Sequence, residues 1–140
     1  MGTNEIIKLA KDLKFKFKDI STIDIINLLN IPLSYTNLKP NLYPAFTMDT
    51  GTTKAIVLNN FFNLNQQNIL AAHELGHAIL HKDKLINQFG GENKQQEYEA
   101  NLFAVALLFD ENKLNVPLNR MSNYELKYLL DYNIKLKKSS

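Results

Sequence analysis

A chain of 140 residues has the length of one domain and can bury a real core. Its net charge of +2 is too small to imply a nucleic-acid partner. With no cysteine it has no disulfide, thiolate metal site or thiol nucleophile, and its longest apolar run, residues 102–109, is far too short to cross a bilayer.

Residues 4–15 read as a first helix, with Ile6, Ile7, Ala10 and Leu13 forming the apolar stripe. Lys8, Lys11, Lys14, Lys16 and Lys18 read as its solvated side rather than a patch for DNA or an acidic partner. The opening residues mix charges with apolar side chains and lack a secretory core, so the expectation is a cytoplasmic protein. Ser21 or Thr22 caps a second helix over 23–29, which Ile31-Pro32 stops.

The hydrophobic period then changes, and residues 33–36, 43–48 and 53–59 read as three short strands. Asp49-Thr50-Gly51 suits a tight turn between the last two, so a small antiparallel sheet is expected. The same tripeptide carries the catalytic aspartate of aspartic proteases. A single copy would need a dimer to supply the second carboxylate, and a hairpin turn explains the residues without one.

Asn63 or Asn65 caps the next helix, which runs to about residue 81 and holds His73, Glu74 and His77 in an H-E-x-x-H motif. Residues four apart lie one turn apart on one helix face, so both imidazoles can reach one metal ion. Glu74 lies about 100° round the helix, close enough to act on a ligand of that metal. His81 continues the series but lies about 12 Å along the axis from His73, so it reads as a structural or supporting residue. Gly76 admits a close neighbour or is simply tolerated.

Residues 82–91 read as a loop and 94–109 as a helix whose second half is apolar nearly all round. A catalytic zinc has three protein ligands and an open position, so a third ligand is needed. Glu97 and Glu99 are the candidates on this helix. Glu99 falls at the edge of the arc of Tyr98, Leu102, Val105, Ala106 and Phe109, and Glu97 projects nearly opposite. A core-facing carboxylate needs a compensating charge, so the wheel selects Glu99. After a connector over 110–121, Ser122 and Glu125 form the capping box of a last helix, with Lys135, Lys137 and Lys138 near its end. No repeat or linker divides the chain, so residues 1–140 are expected to form one domain.

H-E-L-G-H-A-I-L-H, followed by E-Y-E-A-N-L-F-A-V-A-L-L, resembles the ImmA/IrrE family of zinc metallopeptidases. The resemblance covers most of the chain. It implies an α+β, zincin-like fold: a three-stranded antiparallel sheet packed on a central H-E-x-x-H helix, with further helices on both sides. It implies Zn2+ held by His73, His77 and Glu99 in a gluzincin-like ligand set, with Glu74 as the catalytic glutamate. It also implies a phage or mobile-element setting, in which a helix-turn-helix repressor is the protein substrate and is cut to release its genes.

On this reading Glu74 is the general base, and Tyr98, Tyr43 and His81 are the available oxyanion donors. The strand over 55–59 would take an extended substrate by edge addition. A module that grips a regulator without cutting it is the alternative, and the intact Glu74 argues against it.

Overall fold

The computed structural model describes residues 1–39, 44–82 and 93–134. Tyr43, most of the expected loop over 82–91, and Lys135, Lys137 and Lys138 lie outside the described residues. The described chain is a mixed α+β structure with five α-helices and three strands. In order these are α1 (Thr3–Lys16), α2 (Thr22–Leu28), β1 (Leu33–Thr36), β2 (Ala45–Asp49), β3 (Lys54–Asn59), α3 (Leu64–Leu80), α4 (Lys94–Leu108) and α5 (Asn123–Ile134). Among the described residues, no helix is long and apolar enough to cross a membrane.

Strand β3 carries the run Ala55-Ile56-Val57-Leu58 and is buried along nearly its whole length, as befits a central strand. The sheet order is β1-β3-β2. β2 pairs with β3 antiparallel through the hairpin, whereas β1 pairs with it parallel, Leu33 opposite Ile56. The sheet is therefore mixed, not antiparallel throughout. Its most apolar strand takes the centre, and the more polar β1 and β2 take the edges. The hairpin turn is closed by Asp49, whose Oδ1 accepts from Gly51 N at 3.1 Å. Gly51 adopts a φ of 96°, the left-handed conformation that favours glycine. The buried Lys54 donates to Asp49 Oδ2 at 2.9 Å and, with the Gly51 amide, holds the Asp49 carboxyl below its ordinary pKa. This aspartate is thus engaged in shaping a turn.

α3 lies against β2 and β3 on one side and packs on α2, α4 and α5. Its start is fixed by a reciprocal cap: Asn63 Oδ1 accepts from Gln66 N, and Gln66 Oε1 accepts from Asn63 N, each at 2.9 Å. Two side chains tie this end to its neighbours. Asn68 Oδ1 accepts from Ile23 N at the head of α2, and Gln66 Nε2 donates to Ile134 O at the end of α5. α4 is wrapped by α1, α3 and α5 and is buried without a break from Glu99 to Leu107. The lysines of α1 are partly engaged: Lys11 pairs with Glu111 and Lys14 donates to Phe109 O, fastening α1 to the connector after α4.

Candidate metal centre

The site lies where α3 meets α4. Gly76 makes the close approach: a Cβ there would stand 3.1 Å from Ala100 Cα and 3.2 Å from Ala100 O. With the helices this near, side chains on either side of Gly76 reach across. His73 Nε2 lies 3.2 Å from Glu97 Oε1, and His77 Nε2 lies 2.9 Å from Glu97 Oε2. Among the described residues, His73, His77 and Glu97 are the group placed to hold a metal ion, their ligand atoms all within 4.8 Å of one another.

Each imidazole is also held from behind. His73 Nδ1 donates to Asn101 Oδ1 at 2.8 Å, and Asn101 Nδ2 donates to Asn123 Oδ1 on α5 at 2.8 Å. His77 Nδ1 meets His81 Nδ1 at 2.9 Å. Both rings therefore turn Nε2 inward, which is how ligating histidines are ordinarily oriented by partners behind them. Two imidazole nitrogens and a carboxylate converging this way fit a zinc-type ion by donor chemistry and by orientation.

The electrostatics favour a cation. Burial pushes the His73 imidazole down, but the Glu97 hydrogen bond and the charges of Glu74 and Glu97 outweigh it and raise its pKa above the ordinary value. Burial alone would raise Glu97; the hydrogen bonds from His73 and His77 hold its carboxyl well below the usual range instead.

Glu74 is buried beside the cluster, with Oε1 accepting from Thr47 Oγ1 on β2 at 2.7 Å. A cleft of about 230 Å³ opens over this group, lined by His73, Glu74, Glu97 and Asn101, by Pro44 and Ala45 at the start of β2, and by one side of α5. Glu74, Glu97 and the His73 imidazole thus line the cleft, whereas His77 is fully buried and does not.

The structure brings His73, Glu74 and His77 together as the motif requires. Glu99 is not beside them. Its Oε1 lies 2.8 Å from His81 Nε2 and its Oε2 accepts from Gln95 Nε2, and Glu97 stands where Glu99 was expected. α4 is enclosed by three helices, so a carboxylate that faces inward need not face α3 at the motif. The oxyanion candidates fare no better. The Tyr98 hydroxyl shares a hydrogen bond with Thr3 on α1, and His81 is turned toward His77 and Glu99.

Residues 27–137 match the model of the IrrE N-terminal-like domain, a peptidase family. The chain is also similar to an uncharacterized immunity region protein 2 of Bacillus phage phi105, 31% identical over 116 residues, which span 79% of this chain and 72% of the phage protein. This chain belongs to the ImmA/IrrE family. No solved structure matches it. Membership makes the chain a member of a peptidase family, consistent with a His and Glu cluster able to hold metal.

Sequence reasoning weighed Glu97 but preferred Glu99, and it missed Asn101 and Thr47. For Asn101 a signal existed. Glu97 and Asn101 are four apart, like His73 and His77, so each helix of this ImmA/IrrE domain offers one polar pair at one-turn spacing. Thr47 had none, since its contact with Glu74 spans 27 residues of chain.

Proposed function

We propose that this ImmA/IrrE protein is a zinc-dependent endopeptidase of gluzincin type. His73, His77 and Glu97 would hold the metal and Glu74 would act as general base. The observation that carries the reading is the convergence of both Nε2 atoms on the Glu97 carboxylate, with Glu74 buried alongside. A bound zinc lowers the pKa of a water molecule toward about 7 and polarises a carbonyl. Glu74 accepts the proton of the attacking water and delivers it to the leaving amine, so that the amide C–N bond breaks as the new C–O bond is kept. Thr47 Oγ1, donating to Glu74 Oε1, fixes the carboxylate and leaves its other oxygen for that proton. Among the described cleft residues, Asn123 and Lys127 on α5 carry N–H donors for a developing oxyanion.

The substrate strand has a different place from the one expected. β3 is central, with both edges paired, and cannot accept another strand. β2 is an outer strand, and its first residue lines the cleft. An extended peptide laid along β2 would bring its backbone past Glu74. The substrate we assign is a helix-turn-helix repressor. The similar phage protein bears the name of an immunity region, and the family resemblance implies this class of target.

The test is incubation of the zinc-loaded protein with a helix-turn-helix repressor from the same phage or mobile element. Cleavage at a defined bond, lost with a chelator and restored by zinc, is expected. Cleavage indifferent to chelation, or full cleavage by Glu74→Gln, would overturn the proposal.

A further inference from the structure

Behind the metal-site cluster lies a second histidine–carboxylate pair. His81 is fully buried, and the Glu99 side chain is only 12% exposed. Hydrogen bonds run unbroken from this pair to the cluster: Glu99 Oε1 to His81 Nε2 at 2.8 Å, His81 Nδ1 to His77 Nδ1 at 2.9 Å, and His77 Nε2 to Glu97 at 2.9 Å.

With a metal bound, Glu99 ionised and both rings neutral, the proton positions follow from donor and acceptor chemistry. An ionised carboxylate only accepts, so His81 Nε2 carries the hydrogen that points to Glu99. A neutral imidazole has one N–H, so His81 Nδ1 presents a lone pair. The contact between the two Nδ1 atoms needs one hydrogen, which must then sit on His77. Once a metal takes the place of the hydrogen that His77 Nε2 shares with Glu97 here, Nε2 would keep the lone pair that ligates.

We propose that His81 and Glu99 are positioning residues that hold His77 in the Nδ1–H tautomer and so present its Nε2 as a metal ligand. This inference rests on the reading of His77 as a ligand. The two imidazoles of the motif reach the same tautomer by different means. His73 donates directly to an amide oxygen of Asn101, whereas His77, deeper in the protein, donates to a ring that is itself set by a carboxylate. Partners of this kind raise the basicity of the ligating nitrogen, and their loss typically weakens metal binding about 10–100-fold.

The experiment uses the full chain labelled with 15N-histidine, titrated with zinc, beside His81→Leu and His81→Asn. Asparagine places Oδ1 the same number of bonds from Cα as the imidazole Nδ1, so it restores the acceptor without the ring. In the zinc-loaded wild type, scalar coupling across the hydrogen bond should link the two Nδ1 atoms, with the proton assigned to His77. His81→Leu should bind zinc about 10–100-fold more weakly, and His81→Asn should recover most of that loss. If His81→Leu does not fold, the wild-type coupling decides alone. A proton on His81 Nδ1, absent coupling, or wild-type affinity in a folded His81→Leu would overturn the relay and leave the metal site standing. Failure of the wild type to bind zinc at all would overturn both.

Discussion

Two carboxylates stand two residues apart on α4; one meets histidines within α3 and the other meets His81, which caps the end of α3. Glu97, with a side chain 30% exposed, opens into the cleft and spans His73 and His77; Glu99, at 12%, is turned inward to His81. The difference teaches that burial alone does not select a metal ligand. A catalytic ion must keep an open position toward substrate, so its ligands lie at the wall of a cleft. The more enclosed carboxylate serves behind that wall.

The largest effect is expected from removing the cleft carboxylate. Glu97→Ala should lose stoichiometric metal and, with it, all metal-dependent cleavage, as read by metal analysis and a repressor-cleavage gel. Glu74→Gln comes next and separates chemistry from binding. Its zinc content should match wild type while kcat falls by about 10²–10⁴-fold, the usual contribution of a general base. Thr47→Val removes the hydroxyl that fixes Glu74 but nearly keeps side-chain shape. A fall in kcat of roughly tenfold, smaller than loss of the base itself, is expected with unchanged zinc affinity. Unchanged kcat would show that Glu74 needs no such support.

Gly76→Ala tests the framework that both carboxylates share. The added methyl would press on the α4 backbone at Ala100, and overpacking of this kind costs about 1–3 kcal/mol. Chemical denaturation should show that loss, and a variant as stable as wild type would mean that α3 and α4 separate readily.

A smaller effect lies in pH. In metal-free protein the raised His73 pKa contributes stability that is full below the unfolded value of 6.5 and is lost as pH rises through the folded value. The depressed Glu97 pKa contributes stability present above the unfolded value of 4.5 and lost only as pH falls through its much lower folded value. Metal-free protein should therefore melt at lower temperature at pH 8 than at pH 6. Zinc should reverse the trend, because the ion takes the place of the protons and binds more tightly as pH rises. The same trend with and without zinc would contradict the shared use of these side chains.

Much of the architecture could be read in advance because it is local. The Asn63 cap, the Ser122–Glu125 box and the Asp49-Thr50-Gly51 turn are each made within a few residues, and each is formed as expected. Helical spacing likewise placed His73 and His77 on one face. What the sequence could not disclose is which elements meet. The pairing of β1 with β3 rather than β2 depends on a long return of the chain. The choice between Glu97 and Glu99 depends on where α4 crosses α3, set by the small residues Gly76 and Ala100. Thr47 reaches Glu74 only because β2 lies against α3.

The most direct test of this division of labour is a zinc titration of metal-free wild type, Glu97→Gln and Glu99→Gln side by side. One ion bound by wild type, none by Glu97→Gln, and one bound more weakly by Glu99→Gln is the expected result. Stoichiometric zinc in Glu97→Gln, with none in Glu99→Gln, would contradict it and return the ligand role to Glu99.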